Sequence, residues 1–257
     1  MIFSPFGFRN QEVGGVAPTP TPTPTPAPSI PTSGLTLYLD AGNAASYPGT
    51  SDQWYDLSGN NNTGIMGFGT YWDGADGGAM VFDGVDDQVV SQGNWVNIPE
   101  FNSSYTYVVF FNPTTALRNN GLMQIGASNT SRQRSSVRTL GPEFGSSGFS
   151  NDWNGTSYSR NTALSNNTWY QYAVTYDNTT ITRQGYKNGS SSGITSLTSI
   201  GSLNVIDANT SAIGSSKNST TNYWMLGKIS IVLVYNRVLS STEISDIWDA
   251  FKGRYGY

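Results

Sequence analysis

Three aspartates in one short stretch are the strongest candidates for chemistry in this sequence. Residues 82–87, FDGVDD, bring Asp83, Asp86 and Asp87 close together. Such carboxylates repel one another unless a cation lies among them, and hard oxygen ligands in a flexible loop suit calcium. If calcium binds here, Asp83 and Asp87 are its expected side-chain ligands. The alternative is a turn that Asp83 caps together with Gly84, while Asp86 and Asp87 face water.

Four aromatic residues lie in turn-rich polar segments where no strand periodicity hides them. They are Trp72, Trp95, Trp153 and Tyr158. Amphipathic rings exposed in loops often mark binding surfaces. These rings are therefore the candidates for glycan binding, and the equal alternative is that they cover the edges of a sheet.

The composition excludes several classes of function. The chain has no histidine and no cysteine, which excludes disulfides, zinc–thiolate sites, cysteine nucleophiles and Ser-His-Asp triads. A net charge of −4 without a basic block offers nothing to a nucleic-acid backbone, and no apolar run approaches the ~20 residues of a membrane span.

Arg132, Arg134 and Arg138 in SRQRSSVR form either a patch for an acidic partner or a solvated loop.

Residues 1–15 are apolar but too short to form a core. Ile2, Phe3, Phe6 and Phe8 must be buried against something or remain exposed to water. We expect this segment to be a peptide that docks into a partner protein; the alternative is a frayed terminus.

A Pro/Thr-rich linker, residues 16–32, follows this segment. From Pro18 to Pro28 proline alternates with Thr or Ala, which favours a stiff polyproline II rod of about 34 Å. A spacer is expected, because an SH3 or WW ligand would need basic flanks.

The first ten residues lack the early positive charge and continuous apolar core of a signal peptide. Synthesis in a cytosol and export by another route, such as assembly into a virus particle, is therefore expected.

Residues 33–257 read as one all-β domain. Alternating apolar residues and frequent turn residues predict a sandwich or jelly roll. Strands are predicted at 34–40, 79–83, 87–91, 104–112, 121–127, 168–177, 180–188, 203–208 and 227–236. One C-terminal helix is predicted from a capping box, Ser240 and Glu243, followed by an apolar stripe of Ile244, Ile247, Trp248 and Phe251.

Several blocks in a fixed order carry a resemblance to a known family. LTLYLDAGNAASYPGT, WYDLSGNNNTG, AMVFDGVDDQVV, NNTWYQYAVTYDNTT, GYKNGSSSG and GKISIVLVYNRVLSSTEISDIWDAFKGRYG resemble laminin-G-like, concanavalin A-like jelly rolls, in particular those of phage and other virus structural proteins. The resemblance implies two antiparallel sheets, Trp54 and Trp169 in the core, and binding to glycans or proteins. It also implies a calcium site, although Ser230 stands where some relatives carry an acid.

The same resemblance bears on catalysis. Some such jelly rolls hydrolyse glycans with two carboxylates about 5–5.5 Å apart, but none of the predicted strands carries two acids at i, i+2 or i+4. The four glutamates are Glu12, Glu100, Glu143 and Glu243. No catalysis is therefore expected.

The leading hypothesis is a virion surface protein, in a capsid decoration or a tail fibre, that attaches to host-surface glycans; a homo-oligomeric state is left open. The alternatives are a structural cement subunit that binds no sugar and a polysaccharide-degrading enzyme.

Overall fold

The structure is a computed structural model of the 257-residue chain. It describes residues 29–93, 95–100, 102–126, 134–144, 147–153, 157–196, 211–217 and 221–257. The predicted docking residues Ile2, Phe3, Phe6 and Phe8, most of the linker and the predicted strand 203–208 lie outside the described residues.

The described residues form antiparallel strands and one α-helix. The first nine strands are β1 Leu35–Asp40, β2 Gln53–Trp54, β3 Gly64–Gly67, β4 Tyr71–Asp73, β5 Ala79–Asp83, β6 Gln88–Ser91, β7 Tyr105–Pro113, β8 Gly121–Gly126 and β9 Arg134–Thr139. The next nine are β10 Gly148–Asp152, β11 Ser157–Asn161, β12 Tyr170–Asp177, β13 Thr182–Lys187, β14 Ser190–Ser196, β15 Ala212–Ile213, β16 Ser215–Lys217, β17 Asn222–Trp224 and β18 Leu226–Tyr235. The helix, α1, spans Ser241–Phe251.

Two sheets of eight strands make the sandwich. The first has the order β14-β13-β12-β7-β18-β5-β4, and β1 also pairs with β18. The second has the order β11-β10-β9-β8-β15-β6-β3-β2, and β16 pairs with β17 in a separate hairpin. The all-β antiparallel sandwich with one C-terminal helix, predicted from the sequence, is confirmed.

Strand β7 shows how alternation divides the apolar residues between two cores. Its Tyr105, Tyr107, Val109 and Phe111 belong to the main core cluster, whereas Val108 and Phe110 belong to a second cluster that includes the apolar face of α1. Successive side chains of a strand point to opposite faces, so both faces of the first sheet are covered. This explains why β7 reads as a nearly continuous apolar run.

Helix α1 begins as the sequence predicts. The Ser240 side chain accepts a hydrogen bond from Glu243 N, and the Glu243 side chain accepts one from Ser240 N, which completes a capping box. Ile244, Ile247, Trp248 and Phe251 are buried. The Phe110 ring meets the rings of Trp248 and Phe251 at centroid distances of 6.1 and 5.4 Å, so the helix covers the first sheet.

An ion pair joins the two ends of the domain. Both terminal nitrogens of Arg254 donate to the carboxylate of Asp40, whose side chain is 2% exposed. Backbone N–H of Gly42 also donates to that carboxylate, at 2.9 Å. Near the start of the described chain, Ile30 packs against the helix cluster, so the last residues of the predicted linker already contact the sandwich.

Strands β9, β10 and β11 were not predicted from the sequence. Arg134 and Arg138 lie on β9 and are 0% and 7% exposed, so the solvated loop expected there is wrong for these two residues; Arg132 lies outside the described residues. Arg134 forms an ion pair with Asp152 of β10 at 2.9 Å. Their sequences, RSSVRT, GFSND and SYSRN, are mostly polar and contain only one apolar or aromatic side chain each, so they give no hydrophobic period to detect.

Candidate functional site

The aspartate turn between β5 and β6 brings three carboxylates together. Asp83, Asp86 and Asp87 each offer a ligand oxygen, and these oxygens lie within 4.8 Å of one another. Asp83 Oδ1 accepts a hydrogen bond from Val85 N at 2.8 Å, as the turn-capping alternative expects. Asp87, however, is 2% exposed, so the part of that alternative that places it in water is wrong.

Asp87 is an incompletely satisfied buried acid. Its Oδ2 accepts a hydrogen bond from Asp83 N at 2.8 Å, while its Oδ1 is buried and has no hydrogen-bond partner within the described ranges. Burial raises the pKa of Asp87, the charges of Asp83 and Asp86 raise it further, and the Asp83 N–H partly offsets the shift. The carboxylate therefore favours either a proton or a nearby cation.

The chemistry of this turn fits a hard cation. Carboxylate oxygens on a turn are the ligands that calcium takes, and a cation would satisfy the buried Asp87 Oδ1. Asp83, Asp86 and Asp87 would hold the ion. Ser230 has no part in it, because its buried hydroxyl donates to Gly78 O at 2.7 Å, whereas the strand partner of Asp83 is Leu226.

An open groove of about 400 Å³ lies beside the aspartate turn. It is bounded by the loop after β7, the short 3-10 helix Pro142–Phe144 and strand β17. The residues that line it are Thr115, Leu117, Arg118, Asn119, Pro142, Asn222, Tyr223 and Trp224. Two aromatic rings, two amides and one guanidinium thus converge on one concave surface.

The first residues of β18 position the parts of this site. Leu226 pairs with Asp83 on one edge, and Gly227 pairs with Pro113 of β7 on the other. Leu226 N also donates to Asn120 Oδ1 at 3.0 Å, which fixes the loop after β7. Gly121 lets the hairpin approach, because a Cβ at this position would lie 2.1 Å from Tyr223 O.

A network of polar contacts holds two of the side chains that line the groove. Asn119 Oδ1 accepts hydrogen bonds from Arg138 Nη1 at 2.6 Å and from Gly141 N at 3.0 Å. The Asn119 amide donates to the carboxylate of Glu143. The Arg138 guanidinium lies over the Tyr223 ring, 4.6 Å from its centroid. These contacts fix the Asn119 amide and the Tyr223 ring in place.

Arg118 joins the groove to the aspartate turn. Its Nη2 donates to Gly84 O at 2.7 Å. Gly84 has φ +81°, and a Cβ there would meet Leu226 Cβ at 2.9 Å, so the turn requires glycine. Apolar side chains at the tips of the two segments are exposed, Val85 at 65% and Leu117 at 43%.

The exposure predicted for two of the four aromatic residues is wrong. Trp153 is fully buried, and its Nε1 donates to the Tyr105 hydroxyl at 3.0 Å. Trp95 is 5% exposed, and its Nε1 donates to Thr63 O at 3.0 Å. Each indole nitrogen finds an acceptor inside the sandwich, so the rings pack in the core and offer no face to a sugar.

Trp72, the third of the predicted rings, lies outside the groove lining. Trp72 is a half-buried residue of β4, whose Nε1 donates to Ala41 O at 2.9 Å. Tyr158 is a residue of β11 in register with Asn151, and its side chain lies outside the described residues. Their glycan-binding role stays a prediction.

The sequence reasoning missed the aromatic pair of the groove. Tyr223 and Trp224 are both half-buried, and they follow Asn222 in the segment TNYWML. The sequence signal that could have indicated this site is the pair of adjacent aromatic residues that follows an Asn, just before the apolar run of β18. In contrast, Trp54 and Trp169 are buried as the resemblance implied.

Comparison with known proteins identifies the fold. A family model described as the concanavalin A-like lectin/glucanases superfamily matches residues 82–245. Domain 4 of an extracellular GH43 arabinanase from Geobacillus stearothermophilus, in complex with arabinotriose, is similar with a TM-score of 0.59 and 16% identity; the match covers 83% of this chain and 97% of that domain. No curated protein matches the chain.

Neurotoxin binding domains show the same fold. The binding domain of botulinum neurotoxin serotype D has a TM-score of 0.61 and 13% identity, over 85% of this chain and 51% of that one. A structure of botulinum neurotoxin type C, which needs interaction with two ganglioside molecules to enter cells, has a TM-score of 0.59 and 14% identity, over 85% and 51%. The chain spans about half the length of these toxin domains.

The buried carboxylate of Asp87 predicts a specific pH dependence of stability. In the presence of a chelator near pH 7, Asp87→Asn is expected to raise the free energy of unfolding, because the amide removes a charge that burial disfavours. The folded-state pKa lies above the unfolded value of about 3.9. The wild-type protein therefore carries the penalty above its folded pKa and loses it as the pH falls towards about 4.

Urea unfolding at a series of pH values measures this difference. Asp86→Asn is the matched control, since Asp86 is exposed and its substitution is expected to change stability little. A difference between wild type and Asp87→Asn that stays constant with pH would contradict the assignment.

Proposed function

The chain belongs to the concanavalin A-like lectin/glucanases superfamily, and from this premise we propose that it binds glycans in the groove beside the aspartate turn without cleaving them. The observation that carries the proposal is the composition of the groove lining. Tyr223 and Trp224 offer aromatic faces, and Arg118, Asn119 and Asn222 offer hydrogen-bonding groups.

These side chains match what a sugar presents. A sugar ring has apolar C–H faces that pack on amphipathic aromatic rings, and hydroxyls that pair with amide and guanidinium groups. Binding sites of this type combine apolar walls with a few fixed polar groups. Asn119 is fixed by Arg138 and Gly141, so one polar group of the groove is oriented before a ligand arrives.

The similar structures support the proposal by analogy of fold. The arabinanase domain is in complex with arabinotriose, and botulinum neurotoxin type C interacts with gangliosides. A shared fold does not by itself imply a shared function, so the proposal rests on the groove residues of this chain.

The lining argues for binding without catalysis. A retaining glycosidase needs two carboxylates about 5–5.5 Å apart beside the bond that it cleaves, and none of the described lining residues is an acid. Glu143, next to the groove, accepts a hydrogen bond from Asn119. Glu243 is engaged with Arg237 and the helix cap. Incubation with polysaccharides is therefore expected to release no reducing ends.

A glycan array followed by calorimetry tests the proposal. Wild-type protein is expected to bind a subset of glycans, and Trp224→Ala is expected to weaken binding at least about tenfold, or 1.4 kcal/mol. Tyr71→Ala is the matched control, because Tyr71 is 59% exposed and lies outside the groove lining. An array without signal, or equal losses in the two variants, would reject the groove as a glycan site and favour a structural cement role.

We also propose that the aspartate turn binds calcium. Three clustered carboxylate oxygens and the buried, unpartnered Asp87 Oδ1 support this site. At calcium concentrations about a hundredfold above Kd, binding to the folded state would contribute ~2.7 kcal/mol. Calcium is expected to raise the Tm of chelated wild-type protein by several degrees and to leave Asp87→Asn almost unchanged, with magnesium as the control ion. Equal shifts in wild type and variant would overturn the site.

A virion location is proposed from the sequence alone. Ile2, Phe3, Phe6 and Phe8 in residues 1–15 would dock on a capsid or tail, and residues 16–32 would hold the domain away from the particle. Repeated copies on one particle would strengthen weak glycan binding through effective concentration. Deletion of residues 1–15 is expected to leave a folded domain that no longer joins particles, as measured by incorporation into purified virions. Full incorporation of the deleted protein would contradict the docking role.

A further inference from the structure

We infer that the glycan bound in the groove is acidic and that Arg118 receives its carboxylate group. This inference rests on the proposed glycan-binding function and goes beyond it by naming the class of ligand. Arg118 is the one charged side chain among the described lining residues. Its guanidinium therefore sets the charge that the groove presents to a ligand.

Arg118 has unused hydrogen-bonding capacity. Of the five N–H donors of a guanidinium, one is occupied by Gly84 O, and the buried Nε has no partner in the part of the chain that the structure describes. Within the same part, no carboxylate forms an ion pair with this guanidinium. The Gly84 carbonyl therefore holds the guanidinium in place, while no anionic group is paired with it.

Most other cations of the described chain are paired. Ion pairs with Asp or Glu are formed by Arg134, Lys228, Arg237, Lys252 and Arg254. A guanidinium cannot lose its charge, and it is costly to leave it partly desolvated without a partner. The unpaired Arg118 on a concave surface is therefore suited to a negative charge brought by the ligand.

Geometry favours a carboxylate as that charge. Arginine binds a planar carboxylate through two parallel N–H···O bonds, which give both affinity and orientation. Trp224 and Tyr223 line the same groove, so a uronic acid could pack its ring on an aromatic face while its carboxylate meets Arg118. The guanidinium of Arg138 over the Tyr223 ring adds positive potential behind that face.

Matched pairs of glycans test the inference by calorimetry. Oligogalacturonate is compared with its neutral methyl ester and with a sulfated galactan that contains no uronic acid, in buffers of low and moderate salt. Wild-type protein is expected to bind the uronate at least about tenfold more tightly than the ester, with affinity that falls as salt rises. Arg118→Gln is expected to abolish this preference, and Arg118→Lys to keep part of it.

The control variant is Lys187→Gln. It removes the same unit of charge outside the groove, where the Lys187 amine donates to Ala163 O at 3.1 Å, and it is expected to change uronate affinity less than twofold. Circular dichroism checks that each variant is folded. If Arg118→Gln does not fold, the uronate–ester preference of the wild type, its salt dependence and the Arg118→Lys variant still decide the question.

The outcomes separate this inference from the proposed function. Equal binding of uronate and ester, or an unchanged preference in Arg118→Gln, would overturn the role of Arg118 while glycan binding stands. Stronger binding of the sulfated galactan than of the uronate would overturn the carboxylate as the recognised group. A wild-type protein that binds no glycan on a broad array would remove the proposed function itself.

Discussion

The hydrogen-bonded pairing of β18 with three neighbours is the interaction on which the rest of this molecule depends. Along one edge β18 pairs first with β5 and then with β1, and along the other it pairs with β7. A register shift at Ser230 places Ile229 in the main core and Ile231 under the helix. Because the aspartate turn follows β5 and the groove loop follows β7, a change in this register would move both parts of the candidate site.

Two unpaired charges give the candidate site its chemical character. Charged residues make up only 12% of the chain, and most of those in the described part form ion pairs or hydrogen bonds. Asp87 retains an unsatisfied buried oxygen, and Arg118 retains an unsatisfied buried nitrogen. Gly84 lies between them, since it belongs to the aspartate turn and accepts the hydrogen bond of Arg118. A ligand at Arg118 and a cation at the aspartate turn would therefore both act on the backbone at Gly84.

Much of the fold could be predicted because its signals are local. Alternation marks β1, and the capping box marks the start of the helix at Ser240. Strands β9 and β10 escaped because many of their buried side chains are polar. Ser135 of β9 and Asn151 of β10 bond to each other and to Tyr105 inside the sandwich, and Arg183 of β13 donates to Asn151. The same network buries Trp153, so a tryptophan in a polar segment was mistaken for a surface ring. The groove could not be predicted, since its loop, 3-10 helix and hairpin are distant in sequence.

The placement of the chain's first strand has a mechanical consequence. Leu35 pairs with Tyr235 at the end of β18, whereas the aspartate turn and the groove lie at its beginning, beside Leu226. The ten-residue strand β18 spans these two points, a distance of about 30 Å at the usual rise. If the domain is held by the segment before β1 and pulled by a ligand in the groove, tension runs along the strands. The β1–β18 hydrogen bonds then resist together in shear, instead of opening one at a time.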